Sequence, residues 1–211
     1  MSKSIDSSYE VKANTIIANM KKRNITGYYC KTKADALKKS LELIDRDKLV
    51  SWGGGVTLSE INLLSTLRNE KYNVLDRASA KDSDEAYEIM RNSLLSDIFL
   101  MSSNAITMDG KLVNIDGNAN RVAALCFGPK KVIVIAGMNK VVVDEESAIK
   151  RIKQDAACPN AIRLGLKTPC SVNGVCSDCL NNTICCQTVI TRKSRHDDRI
   201  HVILVGENLG Y

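Results

Sequence analysis

NAITMDGKLVNIDGNANRVAALCFGPKKVIVIAGMNK, residues 104–140, decides how this chain is read. Short apolar runs alternate there with polar ends. Residues 112–115 read as a strand, 121–127 as a helix and 132–136 as a second, strongly β run. Strands that alternate with helices imply mostly parallel strands joined by right-handed crossovers, hence an α/β fold arranged as a three-layer α/β/α sandwich. In such folds ligands sit at strand ends, where a rigid scaffold positions variable polar groups. The Asp-Gly pairs at 109–110 and 116–117 are turn formers. Turn chemistry does not explain Asn104, Thr107, Asn114, Asn118, Asn120, Arg121, Asn139 and Lys140 at neighbouring element ends, and these mark a ligand site.

Working outward, residues 8–23 have helical spacing, with Val11, Ile16, Ala18 and Met20 set among Lys and Asn. A strand at 26–30 and a helix at 33–44 opened by Thr32 follow. Residues 49–52 form a buried strand, 53–55 a tight loop and 57–68 a helix, with a strand remnant at 74–75. A helix at 83–96 presents Ala86, Ile89, Met90 and Leu94 on one face, and 98–101 is a strand. After residue 140, Asp144 caps a helix running to 157, and 200–205 closes the sheet. Between them lies a cysteine-rich excursion at 158–187, without periodicity and too long for a loop lacking its own source of order. The 211 residues read as a single α/β domain carrying that excursion.

Apolar content of 44% and charged content of 26% are ordinary for a globular protein. The N-terminal stretch is polar and the longest apolar runs are strand-sized, so the expectation is a cytoplasmic protein with no membrane partner. A net charge of +6 invites a nucleic-acid reading, but acidic residues sit among the scattered basic ones. With two Phe, one Trp and no RNA-binding aromatic motif, the expectation is no nucleic-acid partner.

The loop SWGGGVTLSE, residues 51–60, joins a strand to a helix through Gly53, Gly54 and Gly55. Thr57 and Glu60 have the spacing of a capping box. Free backbone amides beside a helix start favour an anion, although the loop matches neither the dinucleotide fingerprint nor the Walker pattern. For Glu60 alone a glycine turn with a capped helix is the preferred reading, while the loop as a whole fits that turn and anion binding equally. Arg121 and Lys140 are expected to add charge for the same anion. Asp116 is the general acid or base candidate, provided burial raises its pKa. His196 and His201, in or beside the basic approach to the last strand, read as surface residues.

Five of eight cysteines crowd into TPCSVNGVCSDCLNNTICC, residues 168–186. Stable disulfides are not expected in a reducing compartment. Cys170, Cys176, Cys179 and Cys185 could supply a four-thiolate shell for zinc or a [4Fe-4S] cluster, which would order the excursion. Cys186 or Cys158 could replace the fourth ligand, and free or redox-active thiols are the competing reading. Cys30 and Cys126 read as core fillers.

Several of these motifs together resemble the LUD (lactate-utilisation) domain family, formerly a domain of unknown function. They are TLSE at 57–60, NAIT-x-DG-x-L at 104–112, DG-x-x-NRV at 116–122, GPKKVI at 128–133 and G-x-NK at 137–140. TPC…G-x-C-x-DC at 168–179 and ILVGENLG at 203–210 are similar to a cysteine-bearing subgroup. The resemblance implies the fold of the sugar-phosphate isomerase and CoA-transferase superfamily, whose members bind anionic metabolites at strand ends. It also implies a component of lactate or related hydroxyacid oxidation acting beside iron–sulfur partner subunits. No motif carries the superfamily's catalytic carboxylates onto this chain. The competing expectations are therefore a receptor for a small organic anion or phosphorylated metabolite, an iron–sulfur electron carrier, and a metal-stapled docking module without catalysis.

Overall fold

The structure, a computed structural model, describes residues 3–211. In chain order its regular elements begin with α1 (Lys3–Lys22), β1 (Thr26–Cys30), α2 (Lys33–Glu42) and β2 (Val50–Trp52). Then come α3 (Thr57–Glu60), α4 (Leu63–Asn69), β3 (Val74–Leu75), α5 (Ser83–Asn92), β4 (Ile98–Met101), β5 (Ala105–Thr107) and β6 (Leu112–Asp116). The last are α6 (Asn120–Cys126), β7 (Lys131–Gly137), β8 (Val141–Val142), α7 (Glu145–Arg151), α8 (Ala157–Arg163), α9 (Pro169–Asn173), β9 (Gln187–Thr191) and β10 (Ile200–Val205).

Six strands form a wholly parallel sheet in the order β1-β10-β7-β4-β2-β3. Its central strands are apolar on both faces because both faces are covered. Phe99, Val132, Val134, Val202 and Leu204 pack with Ile16 and Met20 of α1 and Ala124 and Leu125 of α6. Their neighbours Ile98, Ile133, Ile135, Ile203 and Val205 pack on the other side with Ala36 of α2, Leu58 of α3 and Leu67 of α4. That alternation along each strand is the period-two signature of a pleated sheet buried on both sides, and it makes the three-layer sandwich.

A second sheet, β8-β5-β6-β9, is mixed: β5 and β9 run antiparallel to β6, and β8 runs parallel to β5. Its Ile106 and Leu112 join the α1 side of the main core, while Ala105 and Val113 pack against Ala148 of α7. This sheet was not expected. Its strand β5 has three residues, and β9 is a half-exposed edge with no apolar face to announce it.

Three helix boundaries also differ from the sequence reading. The run at 57–68 breaks into α3 and α4 at Asn62, which takes a left-handed φ of 60°. The helix at 83–96 ends at Asn92 and finishes as a 3₁₀ turn. The excursion begins later than Cys158, because α7 runs through a π turn at Ile152–Ala156 into α8. Pro159 explains the wide turn: it has no N–H for the carbonyl four residues back, and its ring would press on that carbonyl. Thr32 with Asp35, and Asp144 with Ser147, cap α2 and α7 as the sequence indicates. Cys126 is exposed at the end of α6 rather than filling the core. His201 is buried, stacked on Tyr28 and accepting from its hydroxyl at 3.2 Å.

Candidate functional site

Strands β2, β4, β7 and β10 all end on the same edge of the parallel sheet. The chain leaves β2 outward to β3 but leaves β4 in the opposite direction, toward β7. A crevice opens where connections diverge in this way. A cavity of about 320 Å³ occupies it. Gly54 and Gly55 after β2, and Ser102, Ser103 and Asn104 after β4, form one side. Ile152, Ala157, Asn160 and Arg163, with Ile184 and Cys185 of the excursion, form the other.

Arg121 and Lys140 both line this cavity with the glycine loop, so the sequence-predicted charges do converge. Their roles differ. Arg121 donates from Nη1 to the Ser102 carbonyl at 2.9 Å and to Asn114 Oδ1 at 2.5 Å. From Nη2 it donates to Asn104 Oδ1 at 2.9 Å and the Ile115 carbonyl at 3.1 Å, and its Nε lies 3.3 Å from Asp116 Oδ2. The four Nη donors are thereby used inside the protein, and Nε is ion-paired with Asp116. Its aliphatic stem crosses Gly53, where an added Cβ would lie 3.0 Å from Arg121 Cγ. Gly53 therefore makes room for the arginine and does not itself line the cavity.

Asp116 is held as firmly. Oδ1 accepts from Gly117 N at 3.0 Å and Oδ2 from Val122 N at 3.2 Å, in addition to the arginine. The carboxylate ties β6 to α6 across Ala119, which takes a left-handed φ of 64°. Asn114 is wholly buried, and its Nδ2 has no partner among the described residues.

Lys140 is 3% exposed, and its Nζ donates to Thr57 Oγ1 and Ser102 Oγ, each at 3.0 Å. An ammonium has three donors, so one is left for the cavity. Among the described residues no carboxylate pairs with it. Burial, followed by the charges of Arg151 and Arg121, brings its pKa down to about 7, with Glu60 opposing. Thr57 is thus the first residue of α3 and an acceptor for Lys140, not a cap. Glu60 accepts from Gly210 N at 2.7 Å, so no capping box forms. Gly210 has a φ of +54°, and a Cβ there would lie 2.6 Å from Thr57 Oγ1 and 3.2 Å from Lys140 Nζ.

Asn120 also lines the cavity. Thr107 and Asn139 do not. Thr107 organises the β5–β6 turn, accepting from Lys111 N at 2.9 Å. Asn139 holds the terminal segment, accepting from Leu209 N at 3.1 Å and donating to the Gly210 carbonyl. Sequence reasoning missed Ser102, Ser103, Arg77, Arg163 and Gly210. The serines were signalled by their place directly after the apolar strand β4; the arginines carried no signal. Arg77, Arg121, Lys140 and Arg163 bring four cationic side chains to the cavity, against the single carboxylate side chain of Asp116, which Arg121 already occupies.

The cysteines lie on the excursion side. Cys170 is buried with its Sγ 3.2 Å from Thr168 Oγ1, and Cys158 Sγ donates to the Cys170 carbonyl at 2.9 Å. Burial, then the nearby thiols of Cys176, Cys170 and Cys179, push the Cys185 thiol up. Among the described residues, however, no group of three or more His, Cys, Asp or Glu side chains stands where it could hold a metal ion. Among the described residues no helix is long and apolar enough to cross a membrane.

Fold and site define an open parallel α/β protein with a cation-lined cavity at its strand ends. The chain belongs to the LUD domain family, whose model matches residues 13–205. It is similar in structure to a DUF162 family protein from Deinococcus radiodurans, at 12% identity and a TM-score of 0.52, over 95% of this chain and 98% of that one. Similarity to eIF2B delta from Chaetomium thermophilum is weaker, at 18% identity and a TM-score of 0.32, over 66% of this chain and 54% of that one. No curated protein matches the sequence.

Proposed function

We propose that this LUD domain is a receptor for a small organic anion, a 2-hydroxy or 2-oxo acid or a phosphorylated metabolite. In this reading it serves lactate or related hydroxyacid oxidation beside redox partner subunits. The observation that carries it is Lys140: a buried cation with a spare donor, lining a cavity in which no carboxylate side chain is free to pair with it. Burying a charge without a counter-ion is expensive, and a bound anion would relieve that cost. Arg77 and Arg163, neither paired with a carboxylate among the described residues, extend the positive lining toward a second anionic group.

Thermal unfolding of the full chain in the presence of L-lactate, pyruvate and sugar phosphates tests this. A ligand at one hundred times its Kd stabilises by about 2.7 kcal/mol. Stabilisation by at least one acid, lost in Lys140→Met, is expected. If none of the three classes raises the melting temperature, the reading is wrong.

A second reading concerns the excursion alone. Val172, Val175 and Leu180 are 79%, 64% and 90% exposed there, which favours a docking surface for a partner subunit. Replacing all three by Ser should then weaken partner binding while leaving anion binding intact.

A further inference from the structure

We propose that Lys140 is a carbonyl-binding residue, whose amine condenses with the keto group of a 2-oxo acid seated in the cavity. The proposal rests on the anion reading above and adds the substrate class and the bond formed.

Geometry supplies the argument. Lys140 lines the cavity yet is almost wholly removed from water, and the two protein partners of its Nζ are hydroxyls. A carboxylate partner would hold a lysine as ammonium. Thr57 Oγ1 and Ser102 Oγ can instead accept from an ammonium or donate to a free amine, so this shell serves both protonation states. Desolvation, with Arg151 and Arg121 nearby acting in the same direction, favours the free amine over the ammonium. On the glycine side the amides of Gly54 and Gly55 make no backbone hydrogen bond among the described residues. Together with Arg77 and Arg163 they leave donors for the carboxylate of the same acid. Gly210 closes over Thr57 and Lys140 from the other side, where an added Cβ would collide with Thr57 Oγ1 and press on Lys140 Nζ.

The Nζ lone pair attacks the ketone carbon. A C–N bond forms, the carbonyl π electrons move to oxygen, and that oxygen takes a proton relayed through Ser102 or Thr57. The carbinolamine then loses its hydroxyl and one nitrogen-bound proton as water, leaving a C=N bond. No oxidant or reductant is consumed. A 2-hydroxy acid has no ketone and binds only as an anion.

The full chain is incubated with pyruvate and sodium cyanoborohydride, which reduces the C=N bond to a stable secondary amine, and its peptides are weighed. The expected result is an adduct on the Lys140 peptide, suppressed by excess lactate in the wild-type protein. It should be absent when lactate replaces pyruvate, and lost in Lys140→Arg checked for folding by circular dichroism. Stabilisation by pyruvate with no adduct at Lys140 overturns the condensation and leaves the anion reading standing. Adducts spread over surface lysines and indifferent to lactate also overturn it. Neither stabilisation nor adduct overturns the condensation, and the anion reading falls with it when L-lactate and sugar phosphates also fail to raise the melting temperature.

Discussion

The two walls of the cavity are built on opposite principles. On the sheet side Arg121, Asn104, Asn114 and Asp116 form a closed network in which nearly every donor and acceptor has a partner inside the protein. On the excursion side the side chains of Asn160 and Arg163 bond chiefly to each other, and Cys185 and Cys186 are held by their backbone amides, on Thr183 Oγ1 and the Asp116 carbonyl, with no firm bond to either thiol. The first wall spends its polar groups on its own rigidity; the second keeps them available. Lys140 stands between them. It is buried like the first and incompletely satisfied like the second. A buried charge is thus not evidence of ligand binding until its donors have been counted. Arg121 shows a full count, and Lys140 does not.

The sharpest way to break this contrast is Arg121→Met. It would leave the Asp116 carboxylate, two Asn oxygens and two carbonyls without their shared donor. Loss of one partner from a buried charge network costs about 3–5 kcal/mol. For a chain of this length that lowers the melting temperature by roughly 10 °C, measurable by calorimetry. A shift of only a degree or two would mean the network is ornamental.

Lys140 should show itself in the pH dependence. Its folded pKa of about 7 lies below the ordinary value of 10.5, so between those values the unfolded chain binds more protons. Stability from this group therefore rises with pH across that window, by a few kcal/mol at most. Below pH 7 both states are charged and the burial penalty is fully present. Denaturant melts of wild type and Lys140→Met should diverge in slope between neutral pH and pH 10. Parallel curves would show that the lysine is not desolvated. Bound lactate should raise the lysine's pKa, so lactate affinity should fall as pH rises through neutrality.

Gly210→Ala separates the backbone from the charge. A left-handed φ and a Cβ pressed on Thr57 Oγ1 should cost about 1–3 kcal/mol and displace the hydroxyl that holds Lys140. Lactate binding should weaken along with stability, as calorimetric titration would show. The smallest effect belongs to the excursion. Cys176→Ser with Cys179→Ser should alter stability by less than about 1 kcal/mol, because both sit half-buried and neither ties the excursion to the sheet. A large loss on this substitution, or on adding a chelator, would show that a metal draws the thiols together.

Why the sheet and the site were unequally legible follows from the same physics. β4, β7 and β10 are covered on both faces, so burial forces unbroken apolar runs that no other element would carry. β5 and β9 are short or half-exposed and carry no such pressure. Lys140, Arg121 and the glycine loop could be placed together because strand ends in this topology converge. Their opposite roles could not, since hydrogen-bond partners such as Ser102 and the Ile115 carbonyl come from other turns of the fold. Thr57 had the spacing of a cap, but its hydroxyl was taken by a lysine from across the sheet.

The stretch after β10 carries one more implication. Gly137 sits so close to the Glu207 carbonyl and the Leu209 amide that any side chain there would push that stretch away. Asn139 pins it, and Gly210 rests on the lysine's hydroxyl partner. These few residues act as a stopper pressed into the mouth of a flask. With the stopper drawn, by cleavage after Glu207, water would reach the amine and return its proton affinity toward that of any surface lysine. A proteolytic nick in this terminal stretch would then silence the site while the sheet beneath stayed whole.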